Sequence, residues 1–389
     1  MARTRERAAV TDAFDHHMMG IALTMARHGL GLTAPNPSVG AVLADPASGE
    51  ILARATTAPG GRPHAETIAI KRAGARARGA TLYVTLEPCS HHGQTAPCAD
   101  AIIEAGIARV VCAIEDPDPR VAGRGLNRLR AAGIAVTRGV RASEAAWLTR
   151  GHIVRVTERR PFVQLKLALD ADGSVPTGHD GAPHFVTSPD ARALGHLLRA
   201  QADAILVGRG TVEADNPDLT CRLPGLAMHA PRRVLLAKDG LDLSSKQLSA
   251  SAQQVPVVVF TGPSVSKAAL AAMTTHGASV RAAPVVGGAL WLPAVLEVLA
   301  ADGVTRALVE GGPKLWRAFA RSGLVDEVLV FVAGPRPAIA KAPLPSLTRH
   351  LGPLPLVNTD HRHIGPDTLW RFRIDPSQGS RGLVSQALS

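Results

Sequence analysis

Apolar positions along the chain fall into short runs of two kinds. Strand-sized runs at 39–43, 51–55, 82–85 and 109–113 alternate with stretches whose apolar residues recur at helical spacing, 65–73 and 99–105. A helical pattern at 123–132, a strand at 134–137 and a helical stretch at 143–154 follow. That last stretch runs into Glu158-Arg159-Arg160-Pro161, a charged, proline-ended segment that predicts a domain boundary. A second alternation then begins: strand 162–167, helix 189–200, strands 204–208, 233–236 and 257–261, helix 292–301, strand 306–310 and helix 313–322. Ser188-Pro189 and Gly311-Gly312-Pro313 read as helix starts, with proline at or near the first helical position. Alternating β and α segments predict a layered α/β fold, here twice over. The expected division is a first domain over 1–158, a second over 159–376 and a flexible Ser/Gly/Gln-rich tail over 377–389.

Composition narrows the class. A length of 389 residues fits two or three domains, and 46% apolar with 19% charged residues describes a globular chain. No apolar run approaches the ~18 residues of a membrane span. Glu6, Asp12 and Asp15 interrupt the N-terminus, which lacks the apolar stretch of a signal peptide. Four cysteines in so long a chain are not a disulfide scaffold, so a reducing, cytoplasmic setting is expected. The balance of 43 basic to 32 acidic residues, +11, favours anionic partners. Aromatic residues are only 3% and no Lys/Arg-rich cluster occurs, which counts against nucleic acid and membrane. A phosphorylated small molecule held by arginine is the expected partner.

The chemistry concentrates in His64-Ala65-Glu66, Glu87-Pro88-Cys89 and Cys98. One imidazole and two thiolates leave a tetrahedral ion one open position, the arrangement of a catalytic zinc, Zn2+. Zinc brings water toward hydroxide near neutral pH, and a glutamate two residues after the histidine ligand serves as proton carrier, not as ligand. Pro63 and Pro97 precede His64 and Cys98, and each ligand opens a helical run; a helix N-terminus at Cys98 is expected to favour its thiolate. Cys112 lies in an apolar strand and Cys221 in a polar loop, both expected to be structural.

These residues carry a resemblance. Asn36-Pro37-Ser38-Val39-Gly40, Pro63-His64-Ala65-Glu66, Thr85-Leu86-Glu87-Pro88-Cys89-Ser90-His91-His92-Gly93, Pro97-Cys98-Ala99 and Glu115-Asp116-Pro117-Asp118-Pro119 resemble the RibD family of bifunctional riboflavin-biosynthesis deaminase/reductases. So do Gln164-Leu165-Lys166-Leu167-Ala168, Thr187-Ser188-Pro189, Ile205-Leu206-Val207-Gly208, Ala214-Asp215-Asn216-Pro217 and Val309-Glu310-Gly311-Gly312 in the second half. The resemblance implies a cytidine-deaminase-like three-layer domain followed by a dihydrofolate-reductase-like domain. It implies hydrolytic deamination of 2,5-diamino-6-(5-phosphoribosylamino)pyrimidin-4-one, then NADPH-dependent reduction of the ribosyl group to ribityl, and a tendency to form homo-oligomers. By the same resemblance Glu66 is catalytic, and His64, Cys89 and Cys98 are metal ligands. Asn36, His91, Lys166, Arg199, Leu219, Arg222 and Glu310 would contact substrate; Ala168, Phe185, Thr211, Asp215, Gly312, Pro313, Lys314 and Leu315 would contact NADPH.

Read without the family, the second half says less. Arg199 and Arg222 suit a phosphate fork, and Gly311-Gly312 before a helix suits a dinucleotide phosphate. Gly208-Arg209-Gly210 has Glu213 where a dinucleotide fingerprint needs its third glycine. The chain also departs from the family pattern. Pro183, His184 and Phe185 stand where a Ser-x-Trp is usual, Ala237-Lys238 where Asp-Ser is usual, Gln94 in place of a lysine and Thr57 in place of a histidine. Two other readings compete: an active deaminase with a non-reducing C-terminal domain, and a nucleic-acid deaminase.

Overall fold

The structure is a computed structural model that describes residues 2–91, 96–175, 187–334 and 343–375, with the backbone alone for 2–11. The chain divides into two compact units, Met1–Arg159 and Arg160–Ser389.

The first unit runs α1 (Ala2–His28), β1 (Gly40–Ala44), β2 (Ile51–Thr56), α2 (Ala65–Ala73), β3 (Thr81–Val84), α3 (Cys98–Glu104), β4 (Arg109–Cys112), α4 (Arg124–Ala131), β5 (Ala135–Arg138), α5 (Ala142–Leu148) and α6 (Arg150–Glu158). Its strands form one sheet in the order β2-β1-β3-β4-β5, parallel from β3 to β5 and antiparallel around β1. Strand alternation divides the side chains between the two faces. Val42, Ala44, Tyr83 and Val111 pack under α1 and α5, through Met18, Met19, Leu23, Ala145 and Leu148. Ala41, Leu43, Leu82, Val84 and Val110 pack on the other face against Ala69 of α2, Ile102 of α3 and Leu129 of α4. The result is three layers. The buried Asp15 carboxylate pins α1 to the sheet, accepting from both Arg109 terminal nitrogens (2.9 and 2.5 Å) and from the Tyr83 hydroxyl (2.8 Å).

Two details differ from the sequence pattern. That pattern predicts no element before residue 39, yet α1 places Met18, Met19, Ala22, Leu23 and Ala26 on one buried face. The helical stretch 143–154 is two helices, because Thr149 (φ −84°, ψ 4°) ends α5 and starts α6.

The second unit contains β6 (Phe162–Leu169), α7 (Pro189–Ala200), β7 (Ala204–Gly208), α8 (Arg209–Asp215), β8 (Arg232–Leu236), α9 (Gln247–Ala250), β9 (Val257–Thr261), α10 (Lys267–Thr275) and β10 (Ala278–Ala282). It continues with β11 (Val285–Val286), β12 (Ala289–Leu290), α11 (Leu292–Ala301), β13 (Arg306–Glu310), α12 (Pro313–Arg321), β14 (Glu327–Val332), α13 (Leu344–Leu351), β15 (Leu356–Ile364) and β16 (Asp367–Ile374). Nine strands join in the order β10-β9-β8-β7-β13-β6-β14-β16-β15; β11 and β12 pair separately. From β10 to β14 every pairing is parallel, and β16 and β15 are antiparallel. β15 escapes the sequence pattern because it is an edge strand, exposed along most of its length and carrying Asn358, Asp360, His361 and Arg362.

Val163, Leu165, Leu167 and Leu169 of β6, with Val309 of β13 and Val330 of β14, face a core shared with Val295 of α11, Trp316 and Phe319 of α12 and Leu347 of α13. The alternate residues of the same strands face the other way: Lys166 and Ala168 on β6, Leu308 and Glu310 on β13, Leu329 and Phe331 on β14. Ala191 and Leu198 of α7 cover the apolar members of this second face. Lys166 and Glu310 are directly paired neighbours near the carboxyl ends of adjacent parallel strands, where α/β sheets place ligands.

Candidate active sites

In the first unit the sequence-spaced ligands converge. Nitrogen and sulfur donors of His64, Cys89 and Cys98 all lie within 4.8 Å of one another. His64 is the residue that caps α2, Cys98 is the first residue of α3, and Cys89 ends the segment leaving β3. His64 Nδ1 is 3.2 Å from Cys98 Sγ and 3.7 Å from Cys89 Sγ. One imidazole and two sulfurs in this proximity suit zinc. Glu66 sits in the first turn of α2, 2% exposed, with its Oε2 buried and unpaired among the described residues. A buried carboxyl with an unused oxygen beside three soft donors fits a site built to hold an ion and a water. Burial pushes the Glu66 carboxyl above its ordinary value.

The first N–H of α3, that of Cys98, points at Cys89 Sγ (3.3 Å) and not at its own sulfur. The hydrogen bond from the Cys98 thiol, with His64 nearby, pulls Cys89 down to about 4. Cys98 is correspondingly pushed up, held protonated by Cys89 and by burial. The N-terminus of α3 thus faces the sulfur of the partner cysteine; as zinc ligands both sulfurs would be thiolates.

Sequence reasoning leaves Glu87 out of the site, and in the structure it ties the segment that carries Cys89 to the entry of α4. Its carboxylate is 4% exposed and accepts from the backbone N–H groups of Asp116 (3.2 Å), Gly123 (2.9 Å) and Leu126 (3.2 Å), at the entry to α4. Gly125 lets α4 approach: a Cβ there would overlap the Pro88 carbonyl. The sequence signal is an acid inside an apolar run immediately before Pro-Cys. Glu87→Ala is therefore expected to weaken zinc binding about 10–100-fold; chelator competition checks this, and an unchanged affinity would exclude the role.

Asn36 donates to the Gly61 carbonyl (2.8 Å), three residues before His64. His91 is half-buried, with Nδ1 buried and unpaired among the described residues. Thr57 is buried and receives the Val39 N–H (3.0 Å), tying the loop before His64 to β1. Gln94 lies outside the described residues. Cys112 and Cys221 are buried.

In the second unit, Lys166, Arg199 and Glu310 come together. Arg199 Nε and Nη2 each donate to Glu310 (both 2.9 Å), and Lys166 Nζ is 3.8 Å from Glu310 Oε2 and 5.4 Å from the Phe331 ring. Burial alone would raise the Glu310 carboxyl, but Arg199 and Lys166 overcome it and hold the group at about 2. Arg199 Nη1 also donates to the Thr220 carbonyl (3.1 Å). Leu219 is buried, with its backbone at φ +60°. Arg222 is exposed, 4.0 Å from Asp218.

Gly312 caps α12, and Pro313, Lys314 and Leu315 form its first turn. An added Cβ at Gly312 or Gly208 would meet no atom within 4 Å. Thr211 lies beside Gly311, whose added Cβ would sit 3.6 Å from its hydroxyl and 3.1 Å from Leu315. Open space at these glycines, at the N-terminal end of α12, suits a dinucleotide phosphate. Ala168 is half-buried beside Lys166, and Asp215 is exposed at the end of α8. Pro183, His184, Phe185 and the tail over 377–389 lie outside the described residues.

This is a two-unit α/β protein with a His/Cys/Cys cluster that could hold a metal ion in one unit and a buried Lys166–Glu310–Arg199 ion-pair cluster in the other. Residues 12–114 match the cytidine and deoxycytidylate deaminase zinc-binding region, and residues 161–336 match the RibD C-terminal domain. The chain is 39% identical over 317 residues to the riboflavin biosynthesis protein RibD of Escherichia coli, covering 79% of this chain and 85% of that protein. It is 39% identical to the Aquifex aeolicus RibD over 70% of this chain and 74% of the relative. A Thermotoga maritima structure described as a diaminohydroxyphosphoribosylaminopyrimidine deaminase/5-amino-6-(5-phosphoribosylamino)uracil reductase superposes with a TM-score of 0.79 at 33% identity, covering 94% of this chain and all of that one. The chain belongs to the RibD family of riboflavin biosynthesis proteins. No helix among the described residues is long and apolar enough to cross a membrane.

Proposed function

We propose that the chain catalyses two successive steps of riboflavin biosynthesis. The first unit deaminates 2,5-diamino-6-(5-phosphoribosylamino)pyrimidin-4-one, and the second reduces the ribosyl group of the product with NADPH. The observation that carries this reading is the meeting of His64, Cys89 and Cys98 beside the buried Glu66, in one chain with the Lys166–Glu310–Arg199 cluster.

His64, Cys89 and Cys98 would hold zinc, which when bound supplies the Lewis acidity that makes hydroxide available near neutral pH. Glu66, buried with its Oε2 unused, would take the proton of the attacking water and hand it to the departing amine. Asn36 and His91 flank the loops that carry the ligands and would orient the pyrimidine.

In the second unit Arg199 and Arg222 would attract the ribosyl phosphate, and Lys166, steadied by Glu310, would face the ribose. The backbone of Leu219 completes that side. NADPH, when bound, supplies the reducing equivalents. Ala168, Thr211, Asp215 and the first turn of α12 from Gly312 to Leu315 would line its path, with Phe185 a stacking surface. The intact Lys166–Glu310–Arg199 cluster favours a reducing C-terminal domain over a non-reducing one.

Lys238 follows β8, is 39% exposed and lies 3.3 Å from Asp239. In this reading it replaces the usual hydroxyl with a cation for the extra phosphate of NADPH. Lys238→Ala should weaken NADPH about tenfold and leave NADH unchanged; a variant with unaltered NADPH affinity removes Lys238 from the cofactor site.

The direct test supplies the zinc-loaded protein with the diaminopyrimidine phosphate and NADPH together, and follows ammonia release and NADPH oxidation. Both signals are expected. Ammonia without NADPH oxidation restores the non-reducing reading, and neither signal overturns the substrate assignment.

A further inference from the structure

Beneath the loop that carries Leu219 and Arg222 lies Arg233, whose side chain is wholly buried. It stands near the start of β8. Its guanidinium does not pair with a single carboxylate. One terminal nitrogen donates to the Asp218 carbonyl (3.2 Å), to the Ser251 hydroxyl (2.7 Å) and, more distantly, to Asp218 Oδ1 (3.5 Å). The other donates to the Val255 carbonyl (2.5 Å). Ser251 in turn donates to Asp218 Oδ1 (3.2 Å), and the Thr220 hydroxyl donates to Asp218 Oδ2. Asp218 is thus fixed by both its backbone and its side chain.

The residue that follows shows what this fixing achieves. Leu219 is at φ +60°, a conformation that a leucine rarely adopts, while its side chain is 3% exposed in the core. Such a backbone persists only where its surroundings over-determine it. Its geometric consequence is the direction of the next carbonyl. Thr220 O lies 3.1 Å from Arg199 Nη1 and 3.2 Å from His196 Nδ1. The same Arg199 is the one that clasps Glu310 beside Lys166. His196 Nδ1 is also 3.4 Å from the Arg222 N–H.

We propose that Arg233 is a positioning residue for the reductase substrate site: through Asp218 it holds Leu219 in its left-handed conformation and so aims the Thr220 carbonyl that orients Arg199. The inference rests on the assignment of Lys166, Arg199 and Glu310 to the substrate above. A buried cation is used because the loop presents it with carbonyl, carboxylate and hydroxyl oxygens at once, and a planar multi-donor group can satisfy several of them from fixed directions.

The test uses the full-length enzyme and the deaminated pyrimidine phosphate. Arg233→Met is expected to raise the reductase KM for the pyrimidine about tenfold or more while kcat changes less than about threefold. Arg233→Lys should recover part of that loss, since one of the fork's directions remains. Direct NADPH binding and ammonia release should stay at wild-type values, which reports that both units are folded. Ser251→Ala removes one shared bond without removing the cation and should shift KM in the same direction by a smaller factor. A melting temperature that falls with no change in KM, in both Arg233→Met and Ser251→Ala, would show that Arg233 is structural only and overturn the proposal. If Arg233→Met does not fold, Ser251→Ala alone decides it: an unchanged KM overturns the inference and a raised one supports it. Failure of the wild-type enzyme to oxidise NADPH would instead overturn the reductase assignment on which the inference rests.

Discussion

Glu66→Gln is expected to reduce ammonia release by about three orders of magnitude and to leave NADPH oxidation on the deaminated substrate unchanged. Glutamine keeps the shape and the burial of the side chain at the start of α2 but can no longer accept and return a proton. Because Glu66 is not one of the three clustered donors, zinc content should stay at one ion per chain. The two readouts separate proton transfer from metal binding. Loss of zinc together with activity would show that the carboxylate supports the ion, and retained ammonia release would remove Glu66 from the chemistry altogether.

The second large effect concerns Glu310. Its carboxyl is held at about 2, against an ordinary value of 4.5, because Arg199 and Lys166 outweigh the burial that alone would raise it. A carboxyl depressed in the folded state stabilises the fold above the unfolded value, and that contribution is lost as pH falls toward the folded value. Here the contribution is fully present above about pH 4.5 and fades between there and about pH 2. Its size is on the order of 3 kcal/mol. Glu310→Gln should therefore lower the unfolding free energy of the second unit by about that amount at neutral pH. The wild-type and variant curves should converge on acidification. Reductase activity should fall about 100-fold, since Lys166 and Arg199 lose the group that orients them, while ammonia release persists. Urea titrations at several pH values measure the first effect. Equal stabilities at neutral pH would mean that the pair does no more than a solvated one.

Much of the deaminase site is legible in the order of residues alone, for a chemical reason. Metal ligation admits few residue types, so His64, Cys89 and Cys98 with Glu66 two residues after the histidine carry their meaning in their identity and order. Strand and helix spans such as 65–73, 189–200, 204–208 and 306–310 coincide with α2, α7, β7 and β13, because each has its own apolar period and a clear stop. β15 is not legible, since it is an edge strand whose polar residues have no buried face to reveal. The second site is legible only through resemblance: a lysine in an apolar strand, a helix arginine and an acid before two glycines are each ordinary until β6 and β13 are seen to lie side by side.

Some features no linear reading reaches. That the first N–H of α3 points at Cys89 Sγ depends on how the segment leaving β3 meets the start of α3. That Glu87 can be buried without a cation depends on three N–H groups brought from residues 116–126. That Arg233 can vanish from solvent depends on oxygens gathered from Asp218, Ser251 and Val255. The sequence alone determined the layered α/β class, the zinc-binding deaminase region and the His64, Cys89 and Cys98 set that the fold brings together, because residue type and local period suffice for them. Only the tertiary structure decided which charges meet, which are neutralised and which backbone groups are aimed at them, because those depend on distances between segments far apart in the chain.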